Sequence, residues 1–176
     1  MTLLWTTPRE WTTKDAITKE RLNAISDDLN YLINPSRATA TVRGTGANTT
    51  VALTTFTDLD VSNYGLSVEL TGVRDVRVKL QGKVSNATLA AITFFDVYID
   101  NSIYLSSLSG TALTQGVWAT TQYVAANLIP VVFDVSIPAG VLAAGVHTFQ
   151  LRWRVSAGTA TFYDNANNFA QFSVGE

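Results

Sequence analysis

The sequence of 176 residues contains no cysteine and one histidine, which excludes several kinds of chemistry. Without cysteine there are no disulfides, no thiolate metal ligands and no thiol nucleophile. His147 precedes a strongly alternating segment, and no serine lies in the Gly-x-Ser-x-Gly turn that would present a nucleophile to a histidine. We therefore predict that the protein is not an enzyme and that His147 is an exposed or edge-strand residue.

Charged residues are scarce, at 15% of the chain against about 25% in an average protein. The formal net charge is -2, whereas binding to a phosphate backbone or an acidic membrane needs a concentrated lysine and arginine surface. No apolar run reaches the roughly 18 residues of a membrane span, and the N-terminus lacks a secretory pattern. We expect neither a nucleic-acid partner nor membrane insertion.

Acidic and amide side chains occur in groups, but none of the groups has the spacing of a known calcium loop. The candidates are Asp58 with Asp60, Asp96 with Asp100, and the run from Asp164 to Asn168. Asp and Asn are also the residues that turns prefer. The Gly-Thr-Gly at residues 44–46 lacks the lysine of a phosphate-binding loop. The sequence therefore predicts no metal site and no cofactor.

The charges that are present concentrate in residues 1–37, which hold five basic and five acidic side chains. From Thr18 to Pro35 the spacing predicts one short α-helix, because Thr is a good N-cap and proline disfavours helical geometry at the residue before it. Its apolar positions form a narrow stripe at spacings of three and four. The stripe consists of Leu22, Ile25, Leu29 and Leu32. An isolated helix this short is marginal in water, so it needs a surface to pack against.

From residue 37 onward the sequence is a succession of short β-favouring segments separated by turn residues. In residues 147–155, Phe149, Leu151, Trp153 and Val155 alternate with polar residues, which predicts a strand with one buried face. The segment 76–81 repeats the pattern. The predicted fold class is mainly β: an antiparallel β-sandwich or jelly roll, preceded by an extended N-terminal arm and one short α-helix. The predicted domains are an arm and helix at 1–36 and a β-domain at 37–176.

Two segments, 91–99 and 129–135, are apolar on both faces. A strand in such a sandwich normally has one polar, solvated face, so a second apolar face needs a second partner. A covering loop would satisfy it, and so would a subunit interface, which a large apolar patch usually marks. We favour the interface, formed by Phe94 and Tyr98, in a homotrimer.

Four basic residues would form a strip if their two strands were neighbours: Arg77, Lys79, Arg152 and Arg154.

The N-terminal sequence resembles the start of small virion proteins of tailed bacteriophages, of the head or tail fibre, knob or decoration type, which carry a Trp-x-x-Pro-Arg-x-Trp motif. The matching residues are Pro8, Arg9, Trp11, Thr18, Leu22, Asn23, Asp27, Leu29, Tyr31 and Leu32. Ser26 and Asp28 depart from the arginine and second asparagine of that family. Residues 145–174 also resemble the last strands of trimeric jelly-roll domains in phage fibres, related in shape to tumour-necrosis-factor and C1q heads.

This resemblance implies a structural virion protein, made in the bacterial host cytoplasm and attached to other capsid or tail proteins through its arm. Trp5 and Trp11 would anchor the arm, supported by Pro8, Arg9 and the apolar stripe of the helix, because a buried tryptophan contributes a large contact area. The two tryptophans could instead fold back on the β-domain. The trimeric β-domain would stabilise the particle or bind a host-surface glycan. The alternative function is a carbohydrate-binding module whose exposed tyrosines and Trp118 stack on sugars.

Overall fold

The structure of this protein is a computed structural model that describes residues 48–108, 116–165 and 167–176, the backbone of 37–42, and three residues of the N-terminal region. Those three residues, Leu22, Asn23 and Ile25, are helical, and the side chains of Leu22 and Ile25 are exposed. The other predicted anchoring residues lie outside the described residues, namely Trp5, Pro8, Arg9, Trp11, Leu29 and Leu32. The arm and its contacts therefore remain predictions.

From residue 37 onward, the described residues form twelve strands and two single-turn helices. The strands are β1 (Arg37–Val42), β2 (Thr49–Val51), β3 (Thr57–Asp58), β4 (Gly65–Leu70), β5 (Val76–Asn86), β6 (Ile92–Ile99), β7 (Ile103–Tyr104), β8 (Trp118–Thr121), β9 (Ile129–Ile137), β10 (Gly145–Val155), β11 (Ala160–Tyr163) and β12 (Ala170–Gly175). The helices are α1 (Val61–Tyr64) and α2 (Leu105–Leu108). No helix in the described part of the chain is long and apolar enough to cross a membrane.

The strands pair into two antiparallel sheets. In the first sheet, β5 lies at the centre, with β9 along one side and with β12 and β11 along the other, while β1 and β2 extend it beyond β12 and β11. In the second sheet, β10 and β6 form the central pair, flanked by β3 and β4 on one side and by β7 and β8 on the other. The long strands β4, β5, β6, β9 and β10 alternate between the sheets. These crossings are typical of a jelly roll and confirm the predicted fold class.

The core lies between the sheets, where the inward positions of the long strands meet. Phe162 of β11 is at its centre, with its ring 5.6 Å from Tyr64, 5.8 Å from Phe95 and 6.3 Å from Trp153. All four side chains are 1% exposed or less. Burying a large apolar side chain contributes about 1.5–3 kcal/mol, so this aromatic cluster provides much of the stabilisation.

The alternation read from the sequence matches the two central strands. Phe149, Leu151, Trp153 and Val155 are buried, and the residues between them are more exposed. In β5, Val76, Val78 and Leu80 point into the core, and the basic residues between them are exposed. The segment 129–135 is more one-sided than expected, because Val132 is exposed and Asp134 shares its outer face.

Candidate functional site

The outer face of the second sheet carries a layer of aromatic rings and arginines. We call it the arginine–aromatic face, and it consists of Phe56, Phe94, Tyr98, Tyr104, Arg152 and Arg154. It arises from the alternation of β6 and β10, whose outward positions are the even-numbered residues. The strand register pairs Arg154 with Phe94 and places Arg152 opposite Asp96, next to Tyr98. The structure thus brings the two predicted interface residues, Phe94 and Tyr98, onto one face.

Arg152 contacts three other side chains at this face. Its guanidinium carbon lies 3.9 Å from the centre of the Tyr98 ring, within the range of a cation–π contact. Nε donates to Asp58 over 2.7 Å, and Nη1 donates to the Tyr104 hydroxyl over 3.0 Å. Burial alone would lower the pKa of Arg152, but the bonds to Asp58 and Tyr104 raise it. Arg152 therefore stays charged while it ties β10 to β3 and β7.

Arg154 covers the other half of the face. Its guanidinium carbon is 3.8 Å from the centre of the Phe94 ring and 5.2 Å from that of Phe56. Burial lowers the pKa of this arginine. Phe94 is 8% exposed in the single chain, so the arginine already shields most of its ring from water. The second apolar face of β6 is thus covered in part by side chains of the same chain, and Tyr98 is the more accessible of the two predicted interface residues.

The basic strip expected from Arg77, Lys79, Arg152 and Arg154 does not form. Because β5 belongs to the first sheet and β10 to the second, the two pairs of basic residues lie on opposite outer faces of the sandwich. Arg77 and Lys79 instead share the Asp134 carboxylate of β9, at 2.7 Å and 3.4 Å. The period of a strand fixes which face a residue occupies within its own sheet, but it does not specify which strands are neighbours.

A buried carboxylate lies beneath the arginine–aromatic face. Asp96 is fully buried, and its Oδ2 accepts a hydrogen bond of 2.5 Å from the Ser106 hydroxyl. Its Oδ1 accepts from the backbone N–H groups of Val97 and Ser106. Burial raises the pKa of Asp96, while these bonds lower it by a smaller amount. The carboxylate thereby holds helix α2 against strand β6. No sequence pattern predicts this pairing of Asp96 with Ser106.

His147 is half-buried and bonded on both sides of its ring. Nδ1 lies 2.6 Å from the Asp100 carboxylate, and Nε2 lies 2.9 Å from the carbonyl oxygen of Ala143. Both ring nitrogens are occupied by structural contacts. Across the described residues, no three His, Asp or Glu side chains come close enough together to hold a metal ion.

A second exposed surface lies at one end of the sandwich. We call it the loop tip, and it consists of Leu89, Tyr123, Val124 and Leu128, whose side chains are 42% to 81% exposed. The loops after β5 and β8 are joined by backbone hydrogen bonds between Ala90 and Gln122 and between Gln122 and Ala91.

The buried side chain of Gln122, which is 2% exposed, links the two loops of the loop tip. The side chain of Gln122 accepts from the N–H of Asn86 and donates to the carbonyl groups of Val124 and Asn127. Scattered exposed apolar residues are ordinary, but four on two interlocked loops form the kind of patch that marks an interaction site. Sequence reasoning missed this surface, because the residues come from loops about 35 positions apart.

No known protein family matches this sequence, and no curated protein is similar to it. Solved structures with a similar fold include Eiger TNF from S. frugiperda, at 12% identity and a TM-score of 0.47, covering 81% of this chain and 93% of the other. The Gt strain of infectious bursal disease virus matches at 9% identity and a TM-score of 0.43, and a VP2 subviral particle of that virus at 9% and 0.40. This chain spans 37% of each viral chain. These likenesses concern the fold alone.

Proposed function

We propose that this protein is a non-enzymatic bacteriophage virion component, an appendage of the fibre, knob or decoration type. Its arm, residues 1–36, attaches it to capsid or tail proteins, and its β-domain is displayed as a homotrimer. The arginine–aromatic face is the observation that carries the proposal. Aromatic residues and arginine are enriched at protein interfaces, and such a layer covers the outer face of a sheet that would otherwise meet water.

The resemblance of the N-terminal residues to small virion proteins supports the attachment role of the arm. The β-domain has its own aromatic core, whereas the N-terminal residues described, Leu22 and Ile25, expose their side chains. Attachment and display are therefore assigned to separate parts of the chain.

The test is incorporation into particles that lack this component. Full-length protein and a variant without residues 1–35 are added to such particles, and the bound protein is quantified. The shortened chain should fold, as judged by circular dichroism, but fail to incorporate. Trp11→Ala should weaken incorporation by about 2 kcal/mol or more, roughly thirtyfold in affinity. Incorporation of the shortened chain at the full-length level would contradict the proposal, and so would its failure to fold.

His147→Ala serves as the control for the non-enzymatic part of the proposal. Because both ring nitrogens make structural contacts, this variant should incorporate like the wild type. Loss of a hydrolytic activity in the His147→Ala variant would contradict the assignment.

A carbohydrate-binding module is the second candidate, and the loop tip favours it. Among the described tyrosines, Tyr123 is the one whose side chain is mostly exposed, at 81%, so its ring is available to stack on a sugar. Trp118 is less suited, because it is half-buried with its edge against Phe95. Binding of host-surface glycan that is abolished by Tyr123→Ala, in a chain that does not incorporate into particles, would favour this candidate over the virion appendage.

A further inference from the structure

Three oxygen-bearing residues, Asp60, Tyr64 and Asp164, lie near the contact between helix α1 and the end of strand β11. The ring of Tyr64 stands edge-on to Phe162 of β11. Asp60 precedes Tyr64 by one helical turn, and its backbone carbonyl accepts the N–H of Tyr64 over 2.8 Å. Asp164 continues the inward alternation of β11, because Ala160, Phe162 and Asp164 are all buried. Asp164 therefore points toward the side of the strand on which Tyr64 packs.

Two buried polar atoms at this place have no hydrogen-bond partner within the part of the chain that the structure describes. They are the hydroxyl of Tyr64, in a side chain that is fully buried, and Oδ1 of Asp164, in a residue that is 1% exposed. Buried polar groups in folded proteins are nearly always bonded, so two unpartnered atoms in one location need an explanation. Tyr64 belongs to α1, and Asp164 follows β11. Because the two residues are 100 positions apart in the sequence, the geometry of a single turn does not explain their unpartnered atoms.

Electrostatic effects also link the three side chains. Burial raises the pKa of Asp164, and the charge of Asp60 raises it further. Burial, Asp164 and Asp60 each raise the pKa of Tyr64, so all three groups interact electrostatically. Among the described residues, no lysine, arginine or histidine forms an ion pair with Asp60 or Asp164.

Asp60 is fixed in position by its own hydrogen bonds. Oδ1 accepts from the backbone N–H groups of Ser62 and Asn63, at 2.9 Å and 3.3 Å, and Oδ2 accepts from the Asn63 side chain at 2.8 Å. A carboxylate held this way keeps its remaining lone pairs in a constant direction. Carboxylate oxygens are the ligands that hard cations prefer, and Asp164 offers a second carboxylate with an unpartnered oxygen. The Tyr64 hydroxyl adds a neutral oxygen donor.

We propose that Asp60, Tyr64 and Asp164 bind a hard divalent cation, with Ca²⁺ as the ion best suited to the irregular oxygen geometry. The cation would give the Asp164 oxygen and the Tyr64 hydroxyl a partner and would join α1 to β11. With two carboxylates, the charge count is low for a calcium site. We therefore expect weak binding, with a Kd of about 10⁻⁴–10⁻³ M.

Calcium binding by the full-length protein, freed of metal with a chelator, tests the proposal. Calorimetric titration with Ca²⁺ alone should give one ion per chain, and Ca²⁺ should raise the midpoint of thermal unfolding. Asp164→Asn should weaken binding at least tenfold. Tyr64→Phe keeps the ring against Phe162 and should weaken binding by a smaller factor, which provides a second readout if Asp164→Asn does not fold.

Asp134→Asn is the matched control, because it removes the same charge from the outer face of the first sheet. It should bind Ca²⁺ like the wild type. The proposal is overturned if the wild type binds no Ca²⁺, if Asp164→Asn binds as tightly as the wild type, or if Asp134→Asn loses as much affinity. A wild type that does not bind, with an Asp164→Asn variant of higher stability, would mean that the buried carboxylate holds a proton instead.

Discussion

At the scale of single residues, His147 and Asp100 form the one ion pair among the described residues whose charge changes near neutral pH. Burial lowers the pKa of His147, but the bonds to Asp100 and to the Ala143 carbonyl raise it above its usual value. Burial raises the pKa of Asp100, but the bonds from Thr148 and His147 bring it below its usual value. The pair joins the start of β10 to the turn after β6, so its ionisation affects the fold.

The signs of these shifts predict a maximum of stability between the two pKa values. The raised pKa of His147 gives stability that is present below its unfolded-state value and is lost as the pH rises through the folded-state value. The lowered pKa of Asp100 gives stability that is lost as the pH falls through its folded-state value. We expect His147→Ala to cost about 1 kcal/mol, because Asp100 is 38% exposed and solvent weakens the pair.

Urea unfolding from about pH 5 to about pH 9 measures this dependence. In His147→Ala the decline on the alkaline side should disappear. Asp100→Asn is the companion variant, because it removes the charge that raises the histidine pKa. An unchanged alkaline slope in His147→Ala would show that other groups cause it.

At the scale of elements, the ring of Phe162 in β11 lies so close to Gly82 of β5 that no side chain fits at this position. A Cβ atom added at Gly82 would lie 2.6 Å from Cζ of Phe162, well inside ordinary contact distance. Phe162 is fully buried among Tyr64, Phe95 and Trp153, so it has little room to move. We expect Gly82→Ala to destabilise the sandwich by about 1–3 kcal/mol, the typical cost of overpacking a core. Gln81→Ala, at the neighbouring exposed position, should change stability by less than about 0.5 kcal/mol.

Helix α2 offers a second test at this scale. Ser106→Ala removes the hydroxyl that donates to Asp96 and leaves a buried carboxylate with one partner fewer, at an expected cost of about 1–3 kcal/mol near neutral pH. Because the ionised form needs that bond most, the cost should shrink as Asp96 becomes protonated. Ser107→Ala removes an exposed hydroxyl one residue away and serves as the control in urea unfolding. Equal losses in the two variants would contradict the role of Asp96.

At the scale of the whole molecule, the sequence predicted the architecture better than the surfaces. The alternation of Phe149, Leu151, Trp153 and Val155 specified a strand with one buried face, because the period of a strand is two wherever it lies. The arrangement of β5 and β10 in different sheets could not be inferred, since pairing depends on long-range contacts. For the same reason, the loop tip and the electrostatic influence of Asp60 on Asp164 are visible only in three dimensions.

The arginine–aromatic face leads to a prediction about assembly. If the outer face of the second sheet is the contact between copies, the protein forms a stable homotrimer at micromolar concentration, about three times the 19.0 kDa of one chain. Light scattering measures this mass directly.

Tyr98→Lys should shift the mass toward one chain, because it places a second positive charge beside Arg152 in a contact that excludes water. An acidic residue would be a poorer test, since Arg152 would neutralise it. Gln81→Lys adds the same charge to the first sheet and should leave the mass unchanged. Circular dichroism separates dissociation from unfolding. A wild-type mass of one chain would contradict the trimer, and a Tyr98→Lys variant that stays folded and trimeric would place the contact on another face.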